Sequence, residues 1–194
     1  MMTRVSFILW ALMLVTWCAM RYPAMRRARR QKTRVDRRST LDISLLVLCT
    51  VGLVVLPILW RLHAFDGFAD RGQGIIPLIL GLLTGVAFLW LFRRSHKDLG
   101  KNWSVTLEVR EGHQLVTQGV YAHVRHPMYA SFLLWGVTQA LLIPNWIAGF
   151  AGLAAVLALY AVRQSREEAM MRDTFGAEYD AYSARTKRLI PGIF

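Results

Sequence analysis

Residues 119–129 read Gly119-Val-Tyr-Ala-His-Val-Arg-His-Pro-Met-Tyr129, and they open directly onto the apolar run Ala130 to Ile143. The first stretch is polar and carries Arg125 and His126 at its end, while the second is nearly long enough to enter a bilayer. Ionisable side chains at that depth are costly, so their presence at the mouth of an apolar segment points to a task. A second ionisable group, Arg163 with Glu167 and Glu168, leaves the next apolar run. Only a hairpin of two apolar segments separates the groups, so they read as two walls of one site at a membrane surface.

Working outward, the chain of 194 residues is 55% hydrophobic and carries a net charge of +12. Its mean hydropathy is +0.34, too apolar for an ordinary soluble domain of this length. Five runs have the length and composition of bilayer spans: about 5–20, 41–60, 75–92, 128–143 and 146–162. The first and fourth are short against the roughly 20 residues that a straight helix needs. Pro144-Asn145 is a tight turn, closing the last two runs into a helical hairpin. The fold predicted is all-α and integral to the membrane: five transmembrane helices in a single domain over residues 1–194. A cytoplasmic cofactor region is expected over residues 100–129 and 163–194.

Basic residues set the expected orientation. Nine fall between Arg21 and Arg38, six between Arg93 and Arg125 and six from Arg163 on, against only Arg4, Arg61 and Arg71 on the other side. That bias puts the N-terminus outside and the C-terminus in the cytoplasm. Arg21–Arg38 reads as a solvated loop that sets topology and attracts anionic lipid. No aromatic residue interleaves with its charges after Tyr22, so nucleic acid is not an expected partner. Arg21 also stands where a cleavable leader would need small residues, so the first run reads as a retained helix. Cys18 and Cys49 lie in apolar runs without metal-ligand spacing and read as small buried hydrophobes; no metal site is expected.

The connection from Arg93 to Arg125 is too long for a plain turn. Its pieces Ser104–Arg110 and His113–Tyr121 read as extended, Glu111-Gly112-His113 reads as a turn, and Gly119 permits a bend. Pro127 sits where a first helical turn favours proline. A helix start offers free N–H groups to an anion, Arg125 and His126 add donors, and Tyr121 and Tyr129 add π faces suited to a purine or a sulfonium. Residues His113 to Tyr129 thus hold the parts of a pocket for a zwitterionic, adenine-bearing cofactor. The same residue types also serve as interfacial anchors at helix ends. In the second cluster Arg163/Glu167 and Glu168/Arg172 are spaced as i,i+4 ion pairs on a helix face.

Gly119-Val-Tyr121, Arg125-His126-Pro127-Met-Tyr129, Arg163-x-x-x-Glu167-Glu168, Phe175-Gly176-x-x-Tyr179-x-x-Tyr182 and Ile190-Pro191 together resemble the isoprenylcysteine carboxyl methyltransferase family. The wider relation includes phospholipid N-methyltransferases. The resemblance covers about His113 to Phe194 and gives the first two spans no motif. It implies S-adenosyl-L-methionine as methyl donor. Cofactor contacts would be His113, Gln114, Leu115, Val116, Tyr121, His126, Pro127, Met128, Tyr129 and Glu167. Arg163 would hold the substrate carboxylate, with Glu167 and Glu168 as further active-site residues.

A carboxylate is already ionised at neutral pH and needs positioning rather than a base, so carboxyl O-methylation of a lipophilic, isoprenylcysteine-like substrate is the leading expectation. An amine acceptor, on a phospholipid or other lipid, would need Glu167, Glu168 or His126 to take its proton. Rival classes are a sterol-type membrane reductase and a non-enzymatic scaffold. Expected partners are the lipophilic substrate and membrane lipids. The last span is expected to run on as helix to about Phe175, to break at Gly176, and to be followed by Ala177–Arg185 and a tail that packs back over the cofactor.

Overall fold

The computed structural model describes residues 1–28, 33–36, 39–64, 67–104, 108–110 and 112–193. Helix α1 spans Met2–Ala28, and α2 (Thr40–Thr50) continues through a π-helical turn, Val51–Val55, into α3 (Leu56–Arg61). Helix α4 is Ile75–Leu99, α5 is Pro127–Leu142, α6 is Trp146–Phe175 and α7 is Ala177–Arg185. Short strands β1 (Thr33–Asp36) and β2 (Glu108–Arg110) pair antiparallel, which tethers the first basic connection to the third. Part of the expected extended segment 104–110 and Glu111 of the expected turn lie outside the described residues.

Among the described residues, four helical stretches are long and apolar enough to cross a membrane: Met2–Ala28, Thr40–Arg61, Ile75–Asn102 and Trp146–Phe175. Helix α5 has 16 residues and reaches about 24 Å at 1.5 Å per residue, short of the roughly 30 Å hydrocarbon core. It packs between α4 and α6 and supplies the fully buried Trp135, Thr138, Gln139 and Leu142. The exposed residues include long apolar side chains on α1, α2 and α4, such as Leu12, Val47 and Leu83. Several helix hydroxyls are bonded within the bundle, as a hydrocarbon solvent favours: Thr138 donates to the Leu134 carbonyl at 2.8 Å and Thr84 to that of Leu80 at 2.9 Å.

The helices approach closely at small residues. A Cβ on Gly136 of α5 would stand 2.7 Å from Leu153 Cα, and one on Gly52 would stand 2.8 Å from the Ala151 carbonyl oxygen, the small-residue contact typical of membrane bundles. The Gln139 amide donates to the Gly52 carbonyl at 2.8 Å and to that of Ala148 at 2.7 Å, tying α5 to the π-helical turn and to α6. An aromatic stack continues the core, with Trp10 on Trp135 at 6.1 Å and Phe88 on Trp135 at 4.9 Å between ring centres.

The hairpin turn forms at Pro144-Asn145 as its chemistry predicts. Asn145 caps α6 by accepting from the Ile147 and Ala148 amides at 3.0 and 2.9 Å. Its own amide donates to the Phe68 carbonyl and to the Asp70 carboxylate, each at 2.8 Å. The Trp60 indole also donates to Asp70, at 2.6 Å. These bonds, the Asn145 amide foremost, hold the Asp70 carboxyl below the usual carboxylate range. At the other end of the bundle, Ser39 and Asp42 form a capping box at the start of α2. Arg166 of α6 donates to the buried Asp42 at 2.9 Å.

Several expectations are corrected. Helix α1 continues past Met20 to Ala28, so Arg21 is helical and not the first residue of a loop. Cys49 is buried, but Cys18 is exposed on α1, because the apolar face it occupies is turned away from the bundle. Tyr121 sits in a 3-10 turn, Gly119–Ala122, where an extended strand was expected. Helix α6 ends at Phe175, Gly176 takes φ +52°, and Ala177–Arg185 follows, as read from the sequence.

Candidate active site

One end of the bundle encloses a cavity of about 500 Å³, within the range of small-molecule sites. The start of α5, the middle of α6, the ends of α1 and α4, α2 and the segment His113–Val116 all meet there. The positions expected from the sequence converge: His113, Gln114, Leu115, Val116, Tyr121, His126, Pro127, Met128, Tyr129, Arg163 and Glu167 all line it. Glu168 does not. It is 2% exposed and faces the C-terminal tail behind the cavity wall.

Local structure explains these positions. Gly119 has φ +63°, and a Cβ there would lie 2.1 Å from the Asp98 carboxylate. That carboxylate accepts from the Val120 amide at 3.0 Å, so the glycine lets α4 grip the turn that presents Tyr121. Asn102 accepts from the Gln114 amide at 3.2 Å and seats the His113–Val116 wall against the end of α4. Pro127 opens α5, placing Tyr129 one turn in. Its hydroxyl donates to Glu167 at 2.9 Å, so the two sequence clusters are joined by a hydrogen bond across the hairpin. Tyr129, His126 and Tyr160 meet edge-on at 5.4–6.3 Å.

Behind this wall, Arg125 donates through Nε and Nη2 to Glu168 at 3.1 and 2.9 Å, and through Nη1 to the Ser183 carbonyl at 2.9 Å and to that of Thr186. His126 Nε2 lies 3.1 Å, and Arg188 Nε 3.4 Å, from the same Glu168 oxygen. The expectation that Arg125 offers its donors to an anion at the helix start is therefore corrected: Glu168 and two tail carbonyls take them. The expected Glu168–Arg172 pair is also replaced, since Arg172 bonds Asp180 at 3.2 Å while Glu168 turns inward to Arg125. The tail docks further through the Arg125 and His126 amides, which donate to the Lys187 and Arg188 carbonyls at 2.7 and 2.9 Å.

Tyr182 donates to the Tyr121 carbonyl at 2.7 Å. Burial pushes the phenols of Tyr121 and Tyr182 well up, and that of Tyr179 up to about 12. These hydroxyls are donors at neutral pH and not bases.

Sequence reasoning missed the contribution of the first helices. Trp17 and Arg21 of α1, Leu46, Cys49 and Thr50 of α2, and Trp103 after α4 all line the cavity. A readable signal existed in Trp17 and Arg21, which stand four apart and so share a helix face.

The helices and the cavity define an integral membrane protein with a cavity built into one end of its bundle. Residues 79–173 match the model of the isoprenylcysteine carboxyl methyltransferase (ICMT) family. Among its relatives, protein-S-isoprenylcysteine O-methyltransferase B of Arabidopsis thaliana is 34% identical over 62% of this chain and 58% of its own length. The Homo sapiens protein-S-isoprenylcysteine O-methyltransferase is 32% identical over 59% of this chain and 41% of its own. The solved eukaryotic intramembrane Ras methyltransferase ICMT superposes with a TM-score of 0.50 at 27% identity, over 82% of this chain and 55% of that one. The match thus spans less than two thirds of the length of each of these proteins.

Proposed function

We propose that the protein transfers the methyl group of S-adenosylmethionine to the carboxylate of a lipophilic, isoprenylcysteine-like acid. One observation carries the reading: the Tyr129–Glu167 hydrogen bond of 2.9 Å closes a cavity that also holds His126 and Arg163. The arrangement suits the donor, for which a cavity of about 500 Å³ is large enough. Tyr121, Tyr129 and His126 offer π faces to adenine or sulfonium, and Glu167 offers a carboxylate to the donor's ammonium. The donor supplies an electrophilic methyl group when bound.

The chain's own residues then have three tasks. Arg163, 7% exposed, orients the acceptor carboxylate through its planar fork. Tyr129 fixes Glu167. The docked tail, held through Glu168 and Arg125, excludes water from a reaction in which opposite charges disappear. No proton need move, because a carboxylate acceptor is ionised at neutral pH. The apolar α2 and α5 walls suit a lipid-like substrate. In this reading α5 is a fifth crossing, shortened because the site occupies its mouth. The N-terminus lies outside, and the cavity faces the cytoplasm beside the basic connections.

The test is transfer of labelled methyl from S-adenosylmethionine by purified protein to N-acetyl-S-farnesylcysteine, with phosphatidylethanolamine as the amine alternative. A base-labile methyl ester is expected, and its formation is lost in Arg163→Ala while S-adenosylhomocysteine still binds. Label in the lipid amine alone refutes carboxyl transfer, and label in neither refutes the assignment.

A further inference from the structure

The cavity has a second guanidinium with a different setting. Arg21 Cζ lies 5.4 Å from the centre of the Trp17 ring and 5.5 Å from that of Trp103, and all three residues line the cavity. A guanidinium carbon within about 6 Å of an indole centre is held by cation–π attraction, which occupies none of its N–H donors. Those donors are not consumed by the protein: among the described residues no oxygen accepts a hydrogen bond from Arg21, and no carboxylate pairs with it. Arg125 is the contrast, because Glu168, Ser183 and Thr186 occupy its donors.

The location is also informative. Trp103 follows Asn102, which anchors the Gln114 amide at 3.2 Å, so the Trp103–Arg21 edge adjoins the His113–Val116 wall. Among the described residues, the ionisable groups lining the cavity include Arg21, Arg125 and Arg163 but, of the acids, only Glu167. Glu168 answers Arg125 from outside the cavity, which leaves the lining positive and short of an anion.

We propose that Arg21 is a carboxylate-binding residue of this cavity, taking its anion from beside Trp17 and Trp103. The ligand's identity rests on the methyltransfer reading, in which two carboxylates enter: the reacting one of the acceptor and that of the donor's amino-acid arm. Arg163 positions the first in that reading. A second carboxylate needs a cation that does not compete at the reacting atoms, and a guanidinium on α1, held by rings rather than by acids, meets the requirement. Contact with the two rings holds the charge in place without neutralising it, which is the difference from an ion-paired arginine.

The experiment titrates the full chain in detergent with two ligand pairs. S-adenosylhomocysteine and 5′-methylthioadenosine differ in the amino-acid arm. N-acetyl-S-farnesylcysteine and its carboxamide differ only in the carboxylate. In Arg21→Gln the preference for the acid member of one pair falls tenfold or more while the other member binds as before, and Arg21→Lys recovers part of the loss. A change in the first pair assigns the donor carboxylate, and a change in the second assigns the acceptor carboxylate.

Unchanged preferences in both pairs overturn the proposal, as does equal loss of all four ligands, which makes Arg21 a packing residue. A wild-type protein that binds neither adenosine ligand overturns the methyl-donor reading, and the farnesyl pair then decides Arg21 alone. Binding of none of the four by the wild type overturns both.

Discussion

Glu168→Ala tests how the tail is held over the cavity. The Glu168 carboxylate is 2% exposed and receives Arg125 at 2.9 Å, His126 at 3.1 Å and Arg188 at 3.4 Å. Removing one partner of a buried pair costs about 3–5 kcal/mol, because the other charge is left without compensation. Arg125 keeps its bonds to the Ser183 and Thr186 carbonyls, which favours the lower end, about 3 kcal/mol. At 1.4 kcal/mol per factor of ten, the open-tail population rises roughly 10²-fold.

Two amides report the event. Arg125 N–H and His126 N–H are covered by the tail carbonyls of Lys187 and Arg188, so their hydrogen exchange accelerates by about that factor while the α4–α5 core keeps its protection. Arg188→Ala is the control: its side chain is 40% exposed, so its ion pair contributes under about 1 kcal/mol and exchange changes less than about fivefold. Unchanged exchange at Arg125 and His126 in Glu168→Ala refutes the latch. Uniform acceleration across all helices refutes it equally, because the lost charge would then be felt by the whole bundle.

Three further outcomes follow from the geometry. Tyr129→Phe loses the 2.9 Å bond to Glu167, worth about 1.5–3 kcal/mol to the fold for a charged acceptor, so the melting temperature falls and calorimetry with S-adenosylhomocysteine shows weaker binding, because Glu167 is no longer held in place. Gly119→Ala puts a methyl group 2.1 Å from Asp98 and in left-handed backbone, which costs about 1–2 kcal/mol before the Asp98–Val120 bond is counted. Both thermal stability and ligand affinity fall, and an unchanged melting curve disproves the clash. Asp70 has a depressed folded value, so its contribution is complete above its unfolded value of about 3.9 and is lost as pH falls through the lower folded value. Asp70→Asn removes that acid limb from the thermal stability profile and lowers stability at neutral pH, the effect being small because the side chain is exposed.

Much of this architecture is legible in the chain because a bilayer leaves few choices. Apolar length gave the helices, Pro144-Asn145 the hairpin, Gly176 the break before α7, and Pro127 the start of α5. The site was legible where ionisable residues interrupt apolar runs, since such residues must be paired or used. What stayed hidden was partnership. Sequence spacing offered Glu168 to Arg172, one turn away on the same helix. The fold instead gives Glu168 to Arg125, 43 residues distant, because α5 and α6 fold into a hairpin that brings their non-membrane ends together and no local pattern encodes which carboxylate turns inward. Arg21 was hidden by a stronger prior: nine basic residues in one connection read as topology, and one of them, a turn beyond Trp17, is drawn out of that set only when Trp103 arrives from the far end of α4. A cation bias that orients a chain in the membrane thus also supplies the charge that its cavity needs, and single-residue substitution separates the two uses. The positive-inside signal is shared among many residues and barely changes when one is lost, whereas a binding charge set beside Trp17 and Trp103 acts at one place.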